Sequence, residues 1–284
     1  MEYWIWLSII EKKNYTITRR LLDIYKTPEE IWKLSKKELE QLEVEEQMIQ
    51  EMTNPNYRRI VKAYILYMKE KNIQILTIKD EDYPYLLKQI YDPPSVIYIM
   101  GNKKILSQNG IAIVGSRNCS LYGQKIAKYL SYQLAKKGIH IISGLARGID
   151  TFSHIGTLQA RGKTIAVLGS GLDVIYPPEN EKLAEKIVES GGCLVSEYIV
   201  GTKPLGEHFP ARNRIISGLA SGVVVVEASE KSGSLITVDF ALEQGKNVYA
   251  VPGNINSPNS LGTNALIKQG AKIVTSIEDI LEDL

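Results

Sequence analysis

Four consecutive valines, Val223, Val224, Val225 and Val226, are the tightest constraint on how this chain folds. A strand with one wet face alternates apolar and polar residues, whereas a strand that does not alternate has to be covered on both faces. Runs of similar character recur at 111–114, 139–142, 164–168, 193–196 and 247–250, with amphipathic, helix-length segments between most of them. The pattern predicts an α/β fold: a doubly wound, mostly parallel sheet with helices on both faces.

In such sheets the ligand crevice lies beyond the carboxyl ends of the strands. Each expected strand here ends in an unusual loop: Gly115-Ser116-Arg117, Ser143-Gly144, Gly169-Ser170-Gly171, Ser196-Glu197-Tyr198, Glu227-Ala228-Ser229 and Val251-Pro252-Gly253-Asn254. The stretch 111–150 makes two strand-turn-helix steps in succession, and each turn pairs an arginine with glycine: Arg117 with Gly115, Arg147 with Gly148. Glycine lets backbone N–H groups approach an anion, the following helix offers its positive end, and arginine adds a full charge. This is a phosphate-seeking arrangement.

Further along, Phe209-Pro210-Ala211-Arg212-Asn213-Arg214 leads into an apolar helical segment, which puts two arginines in the expected first turn. Cations there oppose the helix dipole, and a bound anion is the simplest reason for them. The alternative is internal pairing of Arg212 or Arg214 with Glu197 or Glu227. Lys231-Ser232-Gly233-Ser234 precedes another expected helix and makes a third anion cradle on the same edge. Arg117, Arg147, Arg212 and Lys231 would then form a basic pocket in a chain whose formal net charge is only +2. Local concentration of charge suits a phosphodiester backbone, with Phe209 available to stack on a base.

Other chemistries are disfavoured. Gly115-Ser116-Arg117 has neither the GxGxxG spacing of dinucleotide folds nor the GK[ST] of a phosphate-binding loop. His140, His154 and His208 are scattered, and Cys119 and Cys193 lie far apart, so neither a metal site, a disulfide nor a catalytic triad is expected. Glu197, Glu227 and Asp239 are the carboxylates expected near the pocket. No cofactor and no catalytic residue is assigned.

Residues 1–69 have apolar residues at helical spacing, with helix starts at Thr27-Pro28-Glu29-Glu30 and a capping-box spacing at Ser35 to Glu38. They predict a small helical domain, serving as a structural cap or as a docking module for DNA or a partner. Strands expected at 73–78 and 96–100 join the edge of the following sheet, so the boundary falls near residue 70. The apolar stretch WIWLSII is too short for a membrane span and lacks the basic region of a signal peptide, so a cytoplasmic protein is expected.

VGSR at 114–117, SGLARGID at 143–150, YPPEN at 176–180, SEY at 196–198, FPARNRIISGL at 209–219, VVEAS at 225–229, SGSLIT at 232–237, VPGN at 251–254 and GTNALI at 262–267 resemble the DNA-processing protein A family, DprA or Smf. The resemblance covers residues 70–284 and implies an extended Rossmann-like domain. It also implies that this domain binds single-stranded DNA, forms a homodimer, and helps load a RecA-type recombinase during natural transformation, without enzymatic activity. The DNA-binding residues expected from pocket and resemblance together are Ser116, Arg117, Asn118, Gly144, Arg147, Lys203, Phe209, Arg212, Asn213, Lys231, Ser232, Gly233 and Ser234.

Two departures stand out. The helical domain, of SAM-like or helix-hairpin-helix-like kind, carries Glu11-Lys12-Lys13-Asn14-Tyr15-Thr16 where relatives have a glycine-bearing hairpin, and no C-terminal winged-helix domain is expected. The competing reading is a nucleotide sensor or a phosphoribohydrolase-like enzyme on the same fold. Those enzymes resemble PGGxGTxxE, whereas this chain has SGSLITVD, with Asp239 at most a displaced glutamate. A partner-binding role in which DNA is incidental is the third.

Overall fold

The computed structural model describes residues 1–284, and its strands are β1 (Ile73–Thr77), β2 (Val96–Gly101), β3 (Gly110–Val114), β4 (His140–Ser143), β5 (Thr164–Leu168), β6 (Cys193–Ser196), β7 (Gly222–Val225), β8 (Asn247–Ala250) and β9 (Lys272–Ile273). They form one sheet in the order β1-β2-β6-β5-β4-β3-β7-β8-β9. β1 and β2 run antiparallel to their neighbours, and every other pairing is parallel. The expected α/β class is present, and the two strands expected at its edge are there, running antiparallel to their neighbours. β9, with two residues, is too short to carry a periodic signal, and the sequence pattern does not predict it.

Six helices precede the sheet: α1 (Glu2–Glu11), α2 (Tyr15–Tyr25), α3 (Pro28–Trp32), α4 (Lys36–Gln41), α5 (Glu46–Met52) and α6 (Tyr57–Glu70). Thr27 caps α3 by accepting from Glu30 N, and Ser35 and Glu38 close a reciprocal capping box on α4, as their spacing predicts. Within the α/β part come α7 (Tyr85–Lys88), α8 (Leu121–Lys136), α9 (Ile149–Gln159), α10 (Glu181–Glu189), α11 (His208–Leu219), α12 (Leu235–Glu243), α13 (Leu261–Lys268) and α14 (Glu278–Leu281). No helix is long and apolar enough to cross a membrane.

Successive strand residues point to opposite faces, and the core divides accordingly. Ala112 and Val114 of β3 and Val223 and Val225 of β7 pack beneath α11 and α12, against Ile215, Leu219 and Val238. Ile111, Ile113 and Val224 face the other way, onto Leu130 and Leu134 of α8 and Ile149 of α9. The valine run is thus buried from both sides. The N-terminal helices share that second face farther along the sheet, where Trp6, Leu21 and Ile31 join one apolar cluster with Tyr98 of β2, Leu168 of β5 and Ile187 of α10.

Candidate nucleic-acid interface

The chain builds β3 to β6 outward in one direction and β7 to β9 in the other, so strand order reverses between β3 and β7. A crevice forms at such a switch point, because the loops leaving the two strands diverge to opposite faces. Here it is a cavity of about 320 Å³, lined mostly by polar residues, with Val114, Ala146 and Ile216 as its apolar part. The turn after β3 contributes Ser116, Arg117 and Asn118; α11 contributes Arg212 and Asn213; the turn after β7 contributes Ser232, Gly233 and Ser234. Eight of the thirteen expected residues therefore meet around one space.

Backbone ties hold the turns together. Ser116 N donates to Glu227 O at 2.7 Å, and Ile149 N donates to Ser116 O at 3.2 Å. Gly148 has φ +74°, and a Cβ there would lie 2.2 Å from Ser116 O, so only glycine lets the second turn approach the first. Asn213 Nδ2 donates to Gly233 O at 3.3 Å, tying α11 to the third turn. The Ser232 and Ser234 hydroxyls lie 2.8 Å apart and crown α12.

Arg212 is 4% exposed. Its Nη1 donates to Gly144 O at 2.7 Å and also to Val167 O, and its Nε donates to Asn213 Oδ1 at 3.3 Å. Burial lowers its pKa to about 10, against the pull of Asp150, and it remains a cation at neutral pH. Asp150 is the carboxylate of this cavity, and it accepts from Gly144 N at 3.0 Å and Ala146 N at 3.3 Å. Gly144 is wedged between the two charges: a Cβ there would meet Arg212 Nη2 at 2.6 Å and Asp150 Oδ2 at 2.7 Å. Arg212 Nη2 has no partner within the protein, and the residue faces the cavity.

Arg117 is exposed, forms no ion pair, and lies 5.4 Å from the ring centroid of Phe209. Phe209 in turn packs against Tyr176 with ring centroids 5.5 Å apart. The cation and the two rings make a platform in a smaller adjoining cavity that Gly144, Arg147 and Arg212 also line. A guanidinium over an aromatic face is fixed in orientation while keeping its N–H donors free for phosphate. Tyr176 was not singled out from the sequence, although the YPPEN block that contains it was.

Several expectations need correction. α11 begins at His208, so Arg212 and Arg214 lie beyond its first turn and the dipole argument for a bound anion lapses. Pro210 falls within the first turn, where its missing N–H is harmless, and the helix starts upstream of it. Glu197, Glu227 and Asp239 do not line the cavity. The Glu227 carboxylate accepts from Ser120 N at 2.8 Å and from Ser120 Oγ at 2.5 Å, bracing the start of α8. Asp239 is exposed on α12.

Glu197 lies in a second cavity of about 850 Å³ between α1 and α11. Its Oε2 takes Arg214 Nη2 at 2.7 Å and Lys12 Nζ at 2.5 Å, while Arg214 Nε reaches Asp92 Oδ2 at 2.7 Å. Internal pairing is thus the outcome for Arg214. Burial alone would raise the pKa of Glu197, but Arg214 and Lys12 outweigh it and hold the carboxyl at about 2. Among the remaining expected cations, exposed Arg147 pairs through Nε and Nη2 with Glu179. Lys203 and Lys231 are exposed and line neither the main cavity nor the smaller one.

Residues 74–284 match the sequence profile of the family described as DNA recombination-mediator protein A. The DNA processing protein DprA of Bacillus subtilis (strain 168) is 46% identical over 231 residues, 81% of this chain and 76% of the relative. The crystal structure of DNA processing protein A from Streptococcus pneumoniae superposes with a TM-score of 0.72 at 38% identity, covering 89% of this chain and 94% of that one. DNA processing protein A from Helicobacter pylori, whose structure was described for its single-stranded DNA binding mode, superposes with a TM-score of 0.67 at 31% identity over 74% of this chain and 94% of that one.

Proposed function

Since this chain belongs to the DNA recombination-mediator protein A family, we propose that it binds single-stranded DNA, protects incoming strands and loads a RecA-type recombinase onto them in natural transformation. It acts as a binding protein, and no catalytic step is assigned to it. Residues 70–284 form the DNA-binding domain and residues 1–69 a small helical domain, and the protein works as a homodimer.

The observation that carries this reading is the convergence of Arg117, Arg212 and the Ser232-Gly233-Ser234 turn on one polar cavity, beside the Phe209 and Tyr176 rings. Phosphates would dock on Arg117, on the open edge of Arg212 and on the serine hydroxyls. An unpaired base would stack on the aromatic platform, which every base can use because every base has a π-face. A duplex keeps its bases stacked inside and offers this platform little, so single strands are preferred.

Fluorescence anisotropy with single- and double-stranded oligonucleotides at two salt concentrations tests the reading. Arg117→Ala is expected to weaken single-strand binding and to reduce the salt slope by about 0.7, one phosphate's share on a single strand. Phe209→Ala should weaken binding by about 1–3 kcal/mol with the slope unchanged. Wild-type affinity in both variants would refute the site. Strand-exchange assays with a RecA-type recombinase test the loading step, and a sizing run tests the dimer.

A further inference from the structure

Charge is segregated along this chain in a way the cavity does not use up. Between Asp92 and Asp150 there is no acidic residue, whereas eight Lys or Arg occur there, four of them (Lys125, Lys128, Lys136 and Lys137) within α8 or just past its end. The whole chain, by contrast, holds 34 basic and 32 acidic residues. None of those four lysines enters an ion pair.

The helical period sorts α8 into two faces. Gly123, Ala127, Leu130, Ser131 and Leu134 are buried against the sheet and α9. Tyr122, Lys125, Tyr129 and Lys136 recur at spacings of 3, 4 and 7, which puts them on one stripe pointing away from that core. All four are exposed, Tyr122 at 47% and Tyr129 at 50%. Two exposed tyrosines alternate with two lysines that form no ion pair, Lys136 Nζ lying 5.8 Å from the Tyr132 ring centroid, and burial in the core does not account for them.

The stripe is continuous with the cavity. Ser120 caps α8 by accepting from Gly123 N at 3.1 Å, and the loop it closes is the one that carries Arg117 and Asn118 to the cavity. Tyr122 Oη donates to Pro252 O at 3.3 Å, which ties the first ring of the stripe to the loop that follows β8. Lys136 lies fourteen residues beyond Tyr122 on α8, so at 1.5 Å per residue the stripe runs about 21 Å from there.

We propose that the outer face of α8 is a second track for single-stranded DNA, taking the part of the strand that leaves the cavity. Tyr122 and Tyr129 stack on unpaired bases, and Lys125 and Lys136 meet phosphates. Alternating rings and cations along one groove or ridge are what a sequence-tolerant single-strand site requires. The inference rests on the binding function proposed above and extends its footprint.

The test compares one short oligonucleotide, about 5 nucleotides and able to fill only the cavity, with one of about 20 nucleotides that reaches along α8. The triple variant Lys125→Ala/Tyr129→Ala/Lys136→Ala, in the full chain, should bind the short one within about twofold of wild type. It should bind the long one about tenfold more weakly, with a salt slope reduced by about 1.4 for two lost phosphate contacts. Lys125→Glu/Lys136→Glu, which leaves the tyrosines in place, should repeat the length-selective loss. Wild-type binding of the long oligonucleotide by both variants, while Arg117→Ala loses both oligonucleotides, would overturn the track and leave the cavity standing; the face would then serve another anionic partner, such as an acidic protein surface. Equal loss on short and long would also overturn it. An Arg117→Ala protein that binds the short oligonucleotide normally would instead sink the cavity reading itself.

Discussion

Arg212 offers the most demanding test, because the same side chain braces the site and faces its cavity. Replacing it with methionine keeps the length of the apolar stem but removes the guanidinium that donates to Gly144 O and Val167 O. Hydrogen bonds to a charged group contribute about 1.5–3 kcal/mol each, so the two lost to backbone carbonyls, leaving aside the longer one to Asn213 Oδ1, amount to about 3–6 kcal/mol. The loss also removes the positive charge that favours the ionised form of Asp150, buried at 6% exposure, and leaves that carboxylate the bonds it accepts from Gly144 N and Ala146 N. The lost bonds predict a melting temperature lower by about 10 °C. Asp150→Asn in the same chain removes the stranded charge, and the double variant should recover more than 1 kcal/mol relative to the sum of the single changes. It should not recover single-strand binding. Scanning calorimetry and anisotropy on the four proteins give both readouts. Additive single effects would refute the Asp150–Arg212 coupling, and restored DNA affinity in the double variant would refute a phosphate contact by Arg212.

Glu197→Gln should be destabilising at neutral pH by about 3 kcal/mol, the gap between the ordinary 4.5 and about 2 at roughly 1.4 kcal/mol per pH unit. Because the folded-state value is depressed, that contribution is fully present above pH 4.5 and fades as pH falls toward 2; melting curves of wild type and variant should therefore converge on acidification, and a constant gap would contradict the pairing with Arg214 and Lys12. Gly144→Ala forces a methyl group against Arg212 and Asp150, and should cost about 1–3 kcal/mol while weakening single-strand binding; unchanged melting and affinity would show that the loop yields without disturbing Arg212.

What the sequence disclosed depended on range. The α/β core was readable because Val223 to Val226 and their counterparts leave no other way to bury a run without alternation, and Thr27 and Ser35 announce their helices through partners three residues away. The cavity was readable in outline, since the fold class alone fixes which loops share an edge. Pairings between distant residues were not: Arg147 with Glu179, and Glu197 with Lys12 and Arg214, depend on side-chain directions that no spacing encodes. That is why an edge rich in arginines read as one basic pocket, when Arg117 and Arg212 face the cavity, Arg147 is held by a carboxylate, and Arg214 turns to the opposite side of α11.

The apolar cluster that Trp6, Leu21 and Ile31 share with Tyr98, Leu168 and Ile187 straddles residue 70, and the Ser8 and Tyr98 hydroxyls meet across it at 2.6 Å. A change of pattern in the sequence is therefore not a seam in the thermodynamics. Severing the chain there would expose to water a sheet face shaped to lie against helices, and the two pieces should melt as one cooperative unit when joined, with no plateau between them.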